Sequence, residues 1–265
     1  MAMSDTITIT YSPIKPRLFV FSVGPSPDLM FSQQDAMDFA RLFSDRQDQL
    51  APLFSEVHVS TMIGDTAESN RIMAGLEEYT LMHNYGNLGA QDLLLVFFSS
   101  HGVIHKNRFY LHGSKYESGR YRSTALEFEE LREILDELPC KKLVFVDACY
   151  SGGAKAANPE EVNQQLRQLN LVQGMSMLVS SKANQFSYED PQWENGAFTE
   201  GIVSGLGQGE ADLNDDQMIT IYELATYLGE KVPALVKETK GPHMIQHPEL
   251  LDDQLGDVVI YVLED

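Results

Sequence analysis

The chain has 265 residues, 43% hydrophobic and 22% charged, a balance that supports a sizeable core and excludes intrinsic disorder. The 39 Asp and Glu outnumber the 19 Lys and Arg, and the formal net charge of −20 repels nucleic acid and anionic membrane surfaces while favouring basic ligands. With only 2 cysteines, Cys140 and Cys149, a disulfide framework and a thiolate metal cage are excluded, and no segment approaches the ~18 apolar residues of a membrane span, so the chain reads as a cytoplasmic protein.

Thr6 to Tyr11 alternate polar and apolar residues and predict a short edge strand or arm within residues 1–16, interrupted by Pro13 and Pro16. The continuous apolar run Leu18 to Phe21 predicts a strand covered on both faces, ended by Gly24, Pro25 and Pro27. A helix from about Ser32 carries Ala36, Phe39, Ala40 and Phe43 at helical spacing. The pattern repeats with a strand through Val57 and Val59, a helix from about Glu68 with Ile72, Leu76 and Tyr79, and a strong strand from Leu93 to Phe98.

Beyond Phe98, the segments Arg108 to Leu111 and Tyr121 to Ser123 suggest a hairpin. A helix from Glu127 to Leu138 shows one apolar face, and Leu143 to Val146 form another buried strand. A polar stretch from Ala154 to Asn163 follows, then a strand Met175 to Val179, helices from Ala197 to Leu206 and Ile221 to Val232, and a last strand Val258 to Val262. Strands alternating with helices predict an α/β fold: one domain over residues 1–265, with an open, mostly parallel sheet of about six strands flanked by helices on both faces.

In such sheets ligands bind beyond the carboxyl ends of the strands. Two strand ends there carry reactive groups: Leu93 to Phe98 runs into Ser99-Ser100-His101-Gly102, and Leu143 to Val146 runs into Asp147-Ala148-Cys149-Tyr150-Ser151-Gly152-Gly153. A lone Cys or His is usually structural, but a thiol and an imidazole at neighbouring strand ends, each beside glycine, meet the requirements of nucleophilic catalysis.

These two motifs together resemble the caspase and metacaspase family of cysteine peptidases, in which the His precedes the Cys by roughly 50 residues. The resemblance extends to the early helix with Asp35-Ala36 and to Gly196-Ala197-Phe198-Thr199 before the run from Ala211 to Leu224. An acidic residue two before the Cys is similar to bacterial metacaspase-like members, where animal caspases carry Gln. The resemblance implies a caspase-like fold and a dyad of His101 and Cys149, with the backbone N–H groups of Gly102 and Cys149 as oxyanion hole. It also implies a first specificity pocket (S1) of Asp35, Ser99 and Asp147 that suits Lys or Arg side chains, so that peptide or protein substrates with basic residues are the expected partners. From the residues alone, Asp35 reads equally as a solvated or capping helix residue, and Ser99 as a strand-end hydroxyl bonded to backbone.

Tyr150 departs from the metacaspase pattern, in which His commonly follows the nucleophile. The acidic cluster that makes many metacaspases calcium-dependent has no counterpart, Tyr116 and Ala156 occupying the corresponding regions, so no cofactor is required. Asp212, Asn214, Asp216, Thr220 and Glu223 fall at calcium-loop positions, yet Gln217 stands where the loop needs Gly. That run reads better as a turn followed by a Thr220–Glu223 capping box than as a metal site. The six other histidines, His105 and His112 among them, read as surface or core residues, and Phe186, Tyr188 and Trp193 either line a subsite or pack under a loop.

The expected activity is an endopeptidase cutting after Arg, then Lys, with self-processing at Lys155, Arg167, Arg120 or Arg122. The alternative is a caspase-like binding module without turnover, for which Tyr150 is the supporting feature.

Overall fold

The structure is a computed structural model describing residues 14–25, 28–106, 108–148, 172–182, 184–253 and 255–264. Alternation along the strands sorts side chains onto the two faces of one sheet. Strands β1 (Arg17–Gly24), β2 (Glu56–Ile63), β3 (Leu93–Ser99), β7 (Lys141–Asp147), β8 (Met175–Val179) and β12 (Glu249–Asp253) lie in the order β12-β8-β7-β3-β1-β2. All neighbouring pairs are parallel except β12 with β8. The expected six-stranded, mostly parallel α/β sheet is therefore present.

On one face Phe19, Phe21, Leu94, Val96, Phe98, Val144 and Val146 pack against helices α3 (Ser69–Asn84) and α5 (Phe128–Glu137). On the other, Leu18, Val20, Leu93, Leu95, Phe97, Leu143 and Phe145 meet α1 (Ser32–Ser44), α6 (Ala197–Ile202) and α7 (Ile221–Lys240). Burial on both sides explains why β1, β3 and β7 are continuous apolar runs.

Several elements differ from the sequence reading. The sixth strand of the main sheet is β12, not the C-terminal run: β13 (Val259–Val262) instead pairs with β11 (Met218–Thr220) in a separate ribbon. An edge strand needs less apolar character, and β12 has only Leu250 and Leu251 among acidic neighbours, too weak a signal to read.

The hairpin partner of β5 (Arg108–His112) is β4 (Gly102–His105), and its other neighbour is β6 (Ala125–Glu127). Tyr121–Thr124 is a single helical turn, α4, and not a strand. Helix α7 runs past Val232 to Lys240 through Pro233, because Val232 and Val236 are buried on either side of the proline and hold both halves on the sheet. Thr6 to Tyr11 and Ala154 to Asn163 lie outside the described residues.

Candidate active site

Three elements converge at the carboxyl edge of the sheet. Strands β3 and β7 are parallel neighbours in a register that sets Ser99 opposite Asp147, and Ser100 N donates to Asp147 O at 3.0 Å. His101 follows Ser100, and its carbonyl accepts His112 N at 2.9 Å, which fixes the start of β4 against the end of β5. The first turn of α1 brings Asp35, only 2% exposed, over the end of β3.

Asp35, Ser99 and Asp147 form one buried constellation. Ser99 Oγ donates to Asp35 Oδ2 at 2.7 Å, and Gly196 N donates to Asp35 Oδ1 at 2.9 Å. Ser187 Oγ and Thr199 Oγ1 donate to the two oxygens of Asp147 at 2.6 and 2.9 Å. The cleft is lined by these acids and by Leu29, Ser100, Tyr188, Glu189 and Gly196. Burial raises the Asp35 carboxyl well above its usual range, and the neighbouring Asp147 pushes it further. Asp147 is also raised, chiefly by burial, against the hydrogen bonds from Ser187 and Thr199. Two carboxyls held this close out of water, with Glu189 adding to the negative field at Asp147, make a site in which a cation would be favourable.

Sequence reasoning gave no site role to four contributors to this cleft: Ser187 and Glu189 carried no signal, and Gly196 and Thr199 entered only as part of the family resemblance. The local pattern was faint, since β9 (Glu189–Asp190) and β10 (Asn195–Gly196) are two-residue strands. Gly196 is there for space, because a Cβ at this position would stand 2.7 Å from Asp147 Oδ2. Glu189 accepts the backbone N–H groups of Met30 and Phe31, each at 3.0 Å, and so ties the segment ahead of α1 to the rim of the cleft.

Burial pulls the His101 imidazole below its ordinary pKa of 6.5, while the charges of Asp28 and Glu189 and a hydrogen bond with the Asp28 backbone oppose the shift. The ring is therefore neutral near pH 7, the state in which it can take a proton. His112, read as a core or surface residue, stands beside it, with ring centroids 5.6 Å apart. His112 also stacks on Tyr116, and burial followed by the His101 charge lowers its pKa to about 4. A lone His in a strand carried no sign of this placement.

Cys140 is buried, and its thiol is pushed up to about 11, chiefly by desolvation, which leaves it protonated and unreactive. Cys149 and Tyr150 lie outside the described residues, as do Lys155 and Arg167. Gly102 opens β4, paired with Leu111. Tyr188 lines the cleft whereas Trp193 packs against the α1 side of the core, so the aromatic group divides between its two readings.

The 212–223 run forms a turn and helix start. Asp212 accepts Asp216 N and Gln217 N, Asn214 accepts Asp216 N, and Asp216 accepts Met218 N. The Thr220–Glu223 capping box is present, with Thr220 N donating to Glu223 Oε2 at 2.9 Å and Glu223 N to Thr220 Oγ1 at 3.2 Å. Among the described residues no three His, Cys, Asp or Glu side chains are grouped to hold a metal ion.

A family model of the caspase domain matches residues 21–258, and the chain belongs to that family, one of cysteine peptidases that act on proteins. The resemblance carried by the His101 and Cys149 motifs is thus shown at the level of the family. The crystal structure of protein GSU0716 from Geobacter sulfurreducens aligns with a TM-score of 0.56 at 16% identity, covering 95% of this chain and 100% of that one, a likeness of fold. No curated protein matches the sequence. Among the described residues no helix is long and apolar enough to cross a membrane.

Proposed function

We propose that this chain is a single-domain cysteine endopeptidase that uses His101 and Cys149 to cleave proteins after Arg and, less well, after Lys. The observation that carries the specificity is the pair of buried acids, Asp35 and Asp147, whose raised proton affinity marks a cleft in need of a cation. A guanidinium entering it replaces the proton as partner, with Ser99, Ser187 and Thr199 as further polar groups around it.

The in-register pairing of Ser99 with Asp147 supports the dyad, because His101 and Cys149 each follow their strand partner by two residues. In this reading Cys149 attacks the scissile carbonyl as thiolate. Neutral His101 takes the thiol proton and returns it to the leaving amine. The N–H groups of Gly102 and Cys149 hold the oxyanion. Water then hydrolyses the acyl-enzyme, with His101 as base. Membership of a peptidase family and the inert environment of Cys140 both favour Cys149 as the nucleophile.

The test is a panel of fluorogenic peptides differing only in the residue before the cut. The reading expects Arg above Lys and no cleavage after Asp; cleavage after Asp, or indifference to that residue, contradicts it.

A further inference from the structure

Cations are scarce in this chain, 19 Lys and Arg against 39 Asp and Glu, yet four of them line one cavity. Lys106, Arg108, Arg120 and Arg122 surround a space of about 420 Å³ together with Tyr110 and Tyr121, and among the described residues no acid lines it. The cavity lies between the β4–β5 hairpin and the α4 turn, beyond the end of β4 opposite to His101.

Its walls are built. Arg108 is paired with Glu127 and Arg120 with Glu117, carboxylates that orient the guanidinium groups without lining the cavity. Lys106 and Arg122 have no ion-pair partner among the described residues. His105 lies flat on Tyr121, with centroids 4.4 Å apart and planes 18° apart, and Tyr110 stands 5.9 Å from the same ring. Tyr121 in turn abuts Tyr116, which stacks on His112, so the aromatic wall is continuous with the packing behind His101.

We propose that this cavity is a binding site for a small molecule carrying two or more phosphate groups. Its volume falls in the ~300–1,000 Å³ range of small-molecule sites. Guanidinium groups match phosphate oxygens in bidentate forks, and Lys106 and Arg122 bring two uncompensated charges into the space shared with the paired Arg108 and Arg120, a repulsion that a compact polyanion relieves. An acidic peptide fits less well, because same-side carboxylates on an extended strand stand about 7 Å apart, whereas a diphosphate concentrates its charge within one such cavity. The net charge of −20 disfavours a nucleic-acid polymer as occupant but not a small anion. The proposal is independent of the peptidase reading.

The test is calorimetric titration of the full chain with inorganic pyrophosphate, ATP, and a penta-glutamate peptide as competitor class. The expected result is saturable one-site binding of pyrophosphate or ATP, weakened about tenfold or more by the double substitution Lys106→Gln, Arg122→Gln. Bound ligand should also protect the bonds after Arg120 and Arg122 from trypsin. Both substituted side chains are exposed and lack ion pairs, so the variant should melt with the wild type. No saturable binding of either phosphate compound, tighter binding of penta-glutamate than of both, or unchanged binding by the double variant overturns the proposal.

Discussion

The rings of His101 and His112 stand 5.6 Å apart with their planes inclined at 60°, and both nitrogens of His112 are buried without a hydrogen-bond partner among the described residues. His112 therefore acts as a neutral packing surface for His101. His112→Phe keeps the stack on Tyr116, and kcat/KM should stay within a few-fold with the acid limb of the pH profile in place. His112→Ala empties the stack, and loosening His101 should lower kcat by about 10- to 100-fold. Equal losses in both variants would give the His112 nitrogens a role of their own.

The same residue predicts a pH dependence of stability. A base whose pKa falls from 6.5 unfolded to about 4 folded contributes stability that is present above 6.5 and lost as pH falls through 6.5 toward 4. Wild type should lose about 1–2 kcal/mol over that window from this group, less than a fully buried ring would because solvent screens part of it, a loss that His112→Phe removes. Denaturant titrations at pH 7 and pH 4.5 measure the difference.

Asp35 and Asp147 carry the opposite sign. Their folded pKa values are raised, so their contribution to stability is full below the unfolded value and is lost as pH rises through the folded one. Asp147→Asn should accordingly raise Tm at neutral pH by about 2–4 °C, the shift produced by ~1 kcal/mol in a domain of this size, since the Ser187 and Thr199 hydroxyls can turn to suit an amide. It should also cost Arg substrates on the order of 2–4 kcal/mol of transition-state binding. Asp35→Asn should cost less, and in wild type KM for Arg peptides should rise as pH falls from neutral into the range where these raised carboxyls protonate. A destabilised Asp147→Asn protein with unchanged Arg preference would contradict both points.

Gly196 gives the cleft its depth. The methyl group of Gly196→Ala would meet Asp147 Oδ2 at 2.7 Å, and the forced shift should destabilise the fold by about 1–3 kcal/mol while lowering kcat/KM for Arg peptides well beyond that for smaller side chains. Thermal melts and the peptide panel together check this, and an Ala variant with wild-type Arg cleavage would show that the cleft does not hold the substrate side chain.

Self-processing follows from basic specificity. Arg120 and Arg122 flank the start of the exposed α4 turn, where a protease reaches the backbone most easily. Intact-mass spectra of wild-type enzyme should show fragments ending at one of these residues, or at Lys155 or Arg167, that are absent from Cys149→Ala. Identical spectra would mean that the chain does not mature by its own activity.

The parts legible in sequence were those in which one force dominates. Strands β1, β3 and β7 are buried on both faces and so appear as unbroken apolar runs, and α1 keeps its apolar residues at helical spacing. Asp35, Ser99 and Asp147 were found through family resemblance, and the structure brings them together although Asp35 and Asp147 are far apart in the chain. Ser187, Glu189 and Thr199 received no site role because hydroxyls and acids in loops, short strands and helix starts look like ordinary surface until tertiary packing turns them inward. The α4 turn was misread as a strand because Tyr121 to Ser123 are too few residues for periodicity to separate the two.

The central claim is tested most directly by comparing steady-state cleavage of an Arg-directed fluorogenic peptide by wild type, Cys149→Ala and Cys140→Ala, each checked for folding by thermal melting. Loss of the nucleophile should lower kcat by several orders of magnitude in Cys149→Ala with little change in Tm. Cys140→Ala should retain most of the activity, because that thiol is buried and held protonated. Comparable cleavage by wild type and Cys149→Ala would contradict the account.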